Sequence, residues 1–157
     1  MAVARFYHLT QDPLEGLLPV LIGKALEGGL RVALRGSDAA RMEALDRQLW
    51  AGDGFLPHGL AGGPHDGEQP VLLCHDATPA PDLPNRPGCL IALDGCPVSA
   101  GEAQTLDRLC IVFDGLDPQA VEAARGQWRA LTRAGTAAEY WSRASGRWTC
   151  EARHPKE

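Results

Sequence analysis

Short apolar runs alternate with amphipathic stretches along the first fifty residues, and this alternation constrains the fold more than any other feature. Residues 3–9 (VARFYHL) mix β-branched, aromatic and apolar side chains and predict a strand. Asp12-Pro13 offers a helix N-cap and first helical position. Leu14, Leu17, Leu18, Leu21, Ile22 and Ala25 follow at helical spacing until Gly28-Gly29. Pro19 interrupts that run and predicts a kink or a late start. Residues 30–34 (LRVAL) predict a second strand, and Met42, Leu45, Gln48 and Leu49 a second helix, capped by Ser37 or Asp38. Two strand-then-helix units in succession imply parallel strands joined by right-handed crossovers.

The remaining elements extend the same theme. Six glycines and three prolines make residues 51–70 a loop, long enough in a compact domain to suggest a function. Short strands are predicted at 70–74, 89–93 and 109–113, with a proline-rich connector between the first two and a short helix at 100–106. Asp117-Pro118 opens a helix that runs to about Arg133 and stops at Gly135. Residues 136–142 read as one more short helix. The 157 residues are the size of one domain. The expected fold class is therefore α/β: a single-domain, three-layer, open and mostly parallel sheet with helices on both faces. This is a Rossmann-like topology without a phosphate loop. Such a fold hosts many functions and decides none.

Charge narrows the function classes. The net charge of −5 argues against a protein that coats nucleic acid by itself. Residues 1–124 carry 8 basic and 17 acidic side chains (−9), whereas residues 125–157 carry 7 basic and 3 acidic (+4). The C-terminal fifth is the part of the chain that would attract an anionic partner. No run of about 18 apolar residues suggests a membrane span, and the N-terminal residues do not read as a secretory signal. The five cysteines, Cys74, Cys89, Cys96, Cys110 and Cys150, form no CxxC. They read as free thiols in a reducing compartment, not as a disulfide framework.

Catalytic and cofactor chemistry finds little footing. The turn after the first strand, Thr10-Gln11-Asp12-Pro13, has no glycine, and neither GxGxxG nor GxxxxGK[ST] occurs there. Gly36-Ser37-Asp38 after the second strand offers a weak anion site or a plain helix cap. Cys74-His75, His58 and His65 match no zinc spacing, no GxSxG is present, and Asp76, Asp82 and Asp94 read as solvated loop carboxylates. No cofactor or metal is expected.

Two features stand out. The first is Leu49-Trp50-Ala51-Gly52-Asp53-Gly54-Phe55-Leu56-Pro57-His58, with two large aromatics among glycines just past a helix. The rings either fold back onto the core or form an apolar patch for a protein partner. The second is the C-terminal helix, where Arg125, Arg129 and Arg133 recur every four residues beside Trp128. That stripe is either an ordinary solvated face or a site for a short acidic peptide with apolar residues.

These segments, together with Arg5-Phe6-Tyr7-His8-Leu9, carry a family likeness. The run LW…F-x-PH-x-LAG (residues 49–62), and Arg125…Trp128-Arg129-Ala130…Ala134-Gly135, resemble the chi subunit of the bacterial DNA polymerase III holoenzyme over roughly residues 3–142. The resemblance implies a chi-like α/β domain at 1–142 and a basic extension at 143–157, either disordered or adding to an anionic-tail site. It implies a cytoplasmic, non-catalytic replisome adaptor with no direct nucleic-acid or membrane contact. Its implied partners are the psi subunit of the clamp-loader complex and the acidic C-terminal tail of single-stranded DNA-binding protein, with a helicase as an alternative partner at the psi surface. By likeness, Trp50 and Phe55 match the psi-binding aromatics, and Leu56, Pro57 and His58 shape that surface. Arg125 and Trp128 match the tail-binding positions. Val121 stands where the family has a lysine, a departure that bears on affinity and that Arg129 would offset. The competing readings are a nucleotide-binding enzyme on the same sheet, motivated by fold class and Gly36-Ser37-Asp38, and a stand-alone nucleic-acid binder using the basic C-terminal segment.

Overall fold

The computed structural model describes residues 2–10, 14–51, 57–76, 78–143 and 146–155. Among them, strands β1 (Ala4–Leu9), β2 (Val32–Arg35), β3 (Gly59–Leu60), β4 (Val71–Cys74), β5 (Cys89–Ala92), β6 (Arg108–Asp114), β7 (Ala138–Ser142) and β8 (Thr149–His154) form one sheet in the order β3-β4-β2-β5-β6-β1-β7-β8. All pairings are parallel except β7 with β8. Helices α1 (Leu14–Glu27) and α2 (Ala39–Ala51) cover one face, and α3 (Ala100–Thr105) and α4 (Pro118–Arg133) the other.

Burial on both faces explains why the central strands read as continuous apolar runs. In β6, Leu109, Ile111 and Phe113 point to the α3/α4 side, and Cys110 and Val112 to the α1/α2 side. The first set packs with Phe6, Leu90, Ala124 and Leu131; the second with Leu18, Ile22, Leu34, Met42, Leu45 and Ile91. None of the helices among the described residues is long and apolar enough to cross a membrane. Cys74, Cys89 and Cys110 are buried and all five cysteines are free thiols.

The capping signals act where the chain places them. Asp38 Oδ1 accepts the Arg41 amide at 2.8 Å at the start of α2, and Asp117 Oδ1 accepts the Gln119 amide at 3.0 Å at the start of α4, with Pro118 in the first turn. Gly135 ends α4 at φ +92°, a left-handed position that glycine adopts without the Cβ penalty. Helix α1 runs unbroken through Pro19, whose exposed position limits the cost of the missing backbone bond. Residues 11–13, including the Asp12-Pro13 cap, lie outside the described residues.

Two expectations change. Residues 136–142 are not a helix: Ala138–Ser142 is strand β7, in parallel register with β1 from Ala4↔Ala138 to His8↔Ser142. The open edge of β1 offers backbone partners that outweigh the local helical preference of Ala137, Ala138 and Glu139. Nor is the basic extension disordered throughout, since Thr149–His154 forms β8 and covers the outer edge of β7. Within the long loop, Gly59–Leu60 adds a two-residue strand on β4.

Candidate protein-docking sites

Helix α4 presents Val121, Arg125 and Trp128–Arg129 at i, i+4, i+7 and i+8, so the four share one face. The structure brings all four around a single cavity of about 320 Å³. Its floor is Phe6 of β1 and Phe113 of β6, and the Trp128 ring lies 5.4 Å from Phe6, tilted by 59°. Val121 and Ala124 line the helix side; Tyr140 of β7 and Ala152 of β8 line the other. The interior is aromatic and aliphatic, and the rim is cationic. Arg125 and Arg129 are 67% and 54% exposed. Each reaches the equally exposed Glu122, at 3.8 and 3.5 Å. Exposed pairs of this kind are weak, so an incoming carboxylate can take either guanidinium at little cost. Arg133 lies one turn further on, exposed in the last turn of α4.

A neutral polar pair sits behind the cavity. His8 Nδ1 and Tyr140 Oη are hydrogen-bonded, and the imidazole packs edge-on against Phe113 at 5.2 Å and Tyr140 at 5.7 Å. Burial holds the His8 imidazole below its ordinary pKa and pushes the Tyr140 phenol above its own, so both are uncharged near neutrality. Gly115 permits this packing: a Cβ there would fall 1.9 Å from His8 Nε2. Phe6, His8, Phe113, Tyr140 and Ala152 were not singled out from spacing. The available signal was the alternation in Arg5-Phe6-Tyr7-His8, which puts Phe6 and His8 on one face of a strand.

The other aromatic feature lies at the opposite end of the sheet. Trp50, in the last turn of α2, is 51% exposed, and its ring stacks on His58 at 4.2 Å with 33° between the planes. His58 is buried, with Nε2 3.2 Å from both the carbonyl and a carboxylate oxygen of Asp46, one turn before Trp50. It therefore props the indole outward instead of meeting solvent itself. Pro57 is half-buried, and Leu60 on edge strand β3 is exposed. Phe55 and Leu56 lie outside the described residues. From β3 to β7 is six strand spacings, roughly 29 Å at about 4.8 Å each, so the two surfaces are well separated.

The place where this fold would bind a nucleotide has the wrong chemistry. β1 sends its helix to one face and its neighbour β6 to the other, leaving a crevice beyond their C-terminal ends. That crevice, of about 730 Å³, is lined by Asp94, Asp114 and Asp117 against one cation, Arg41, already 3.4 Å from Asp94. Asp117 caps the α4 N-terminus and Asp114 Oδ1 accepts the Leu116 amide at 2.9 Å, so carboxylates occupy the donors a phosphate would need. The Gly36-Ser37-Asp38 turn is likewise spent: Asp38 caps α2 and Ser37 Oγ bonds Asp94 at 3.3 Å. Among the described residues no three His, Cys, Asp or Glu side chains converge as metal ligands.

Fold and sites thus define a mostly parallel α/β protein whose distinguishing surfaces are an exposed indole near one edge and a cation-rimmed apolar cavity near the other. Residues 1–139 match the family described as DNA polymerase III chi subunit, HolC, and the chain belongs to that family. A place in DNA replication, within the DNA polymerase III assembly, follows from that membership. No curated protein matches the chain.

Proposed function

We propose that this chain is a non-catalytic, cytoplasmic adaptor of the replisome, linking the clamp loader, through a psi subunit, to the acidic C-terminal tail of single-stranded DNA-binding protein. The observation that carries this reading is the convergence of Val121, Arg125, Trp128 and Arg129 on one apolar cavity. A peptide ending in acidic residues and a terminal aromatic needs donors for its carboxylates and a slot for its ring. The two guanidiniums offer the first and the space between Trp128, Phe6 and Phe113 the second. Val121, where a lysine would otherwise stand, lends apolar area and no charge, so Arg129 carries the second positive contact.

Charge-assisted contacts contribute about 1.5–3 kcal/mol each, less at exposed groups. Binding of such a peptide is therefore expected in the micromolar range, roughly −8 kcal/mol, and weaker as salt rises. Titration calorimetry with an acidic peptide ending in phenylalanine tests this. Arg125→Ala should lower affinity severalfold, and an unchanged affinity removes Arg125 from the site.

The second partner surface is assigned by the family likeness to Trp50, Phe55, Leu56, Pro57 and His58, and among its described residues it centres on Trp50 stacked on His58; a helicase would compete with psi there. Exposed aromatic anchors concentrate interface energy. Trp50→Ala should abolish co-purification with psi while leaving peptide binding intact, given the separation of the two surfaces. Retained co-purification would move the psi surface elsewhere.

A further inference from the structure

The family match ends at residue 139, yet the cavity does not. Tyr140 and Ala152, both beyond the match, form the wall that faces α4. They are register partners on β7 and β8, so their side chains stand side by side on one face of the sheet. The register then slips: Tyr140 pairs with Ala152 but Trp141 with Cys150, which leaves Glu151 as an extra residue in β8. Ser142 Oγ donates to Glu151 at 3.0 Å, and Arg153 reaches Glu139 at 3.6 Å, so the strand is tied down on both sides of Ala152.

We propose that β8 is part of the binding site, and that the small side chain at position 152 sets the size of the apolar group the cavity accepts. This rests on the reading of the cavity as a peptide-tail site. A cavity of about 320 Å³ is at the low end for ligand sites, about 300–1,000 Å³, and suits one bulky side chain. The floor is the large aromatics Phe6 and Phe113, and the helix wall is Val121, Ala124, Arg125, Trp128 and Arg129. Ala152 lies on an exposed strand, where bulk can grow into the space without displacing the core, whereas the other alanine of the lining, Ala124, is buried in the core cluster. The acidic segment of the ligand would lie toward Arg125 and Arg129, leaving its terminal ring against Ala152.

The test uses the full chain and two acidic peptides, one ending in phenylalanine and one in valine, titrated against wild type, Ala152→Val and Ala152→Leu. Both substitutions suit an exposed strand, and valine is the milder in case leucine disturbs β8. Wild type should prefer the phenylalanine peptide. In the variants that affinity should fall stepwise, by roughly tenfold or more for leucine, while the valine peptide loses less and the preference narrows or inverts. Unchanged binding of both peptides by both variants overturns the proposal and leaves the peptide-tail reading standing. An equal loss for both peptides overturns the size-setting role. Failure of wild type to bind either peptide sinks the peptide-tail reading, and this inference with it.

Discussion

Arg35→Ala should lower the melting temperature by roughly 10 °C or more. Arg35 ends β2 with its side chain only 4% exposed. Its Nη2 donates to Glu102 Oε2 at 2.9 Å and to the Thr78 carbonyl at 3.0 Å, and its Nη1 to Pro97 O at 3.1 Å and Glu102 Oε1 at 3.4 Å. One guanidinium thus ties β2 to α3 and to the irregular segments before and after β5. Alanine would strand the Glu102 carboxylate, 11% exposed, and release two carbonyls. Removing one partner of a buried pair costs about 3–5 kcal/mol, and at this chain length each kcal/mol is about 2–4 °C. Thermal or denaturant unfolding checks the number, and a loss under about 2 °C would show that the pair does not hold these segments. Replacing both partners should be milder. Arg35 Nε has no acceptor among the described residues, so Arg35→Met with Glu102→Leu removes an orphaned donor along with the ion pair and should recover much of the loss.

Trp128→Ala should weaken binding of the acidic phenylalanine-ended peptide by roughly 30-fold, from a loss of about 2 kcal/mol typical of a central aromatic anchor. The indole forms one side of the cavity and rests on Phe6, so truncation opens the slot and wets its floor. Salt separates this effect from that of the arginines. The contribution of Arg125 and Arg129 should shrink as ionic strength rises, whereas the Trp128 effect, which is burial of apolar surface, should persist. Calorimetry at two salt concentrations measures both, and a change under threefold would take the indole out of contact with the peptide. The substitution should leave the protein folded, because Trp128 is only partly buried and packs against the core cluster from outside it.

Elements whose limits are set by a few neighbouring residues were legible from the chain. Helix α4 is the clearest case: Asp117, Pro118 and Gly135 are local instructions, and the structure obeys all three. The parallel strands were legible because burial on both faces leaves an uninterrupted apolar run. Strand β7 was misread because Thr136-Ala137-Ala138-Glu139 carries no strand signal of its own; its conformation comes from pairing with β1, more than 130 residues earlier. Strand β3 was invisible for a similar reason, since two residues in a glycine-rich loop become a strand only by lying beside β4.

The same division runs through the sites. Spacing alone placed Arg125, Arg129 and Arg133 in one stripe beside Trp128, because the period of a helix is a property of the backbone; Val121 entered through the family resemblance. That this face overlies Phe6 and Phe113, and that Tyr140 and Ala152 close the space opposite, required the sheet order β6-β1-β7-β8, and with it contacts among residues far apart in the chain. Exposure was undecidable for the aromatics near the middle: Trp50 projects because His58, held by Asp46, fills the space beneath it. The amino-acid order by itself determined the period, caps and charge of each segment, since these depend on residues within a few positions of one another. Which segments meet, and so what lies under the indoles and what walls the cavity, was decided by long-range strand pairing and burial, energies that exist only once the chain has closed on itself.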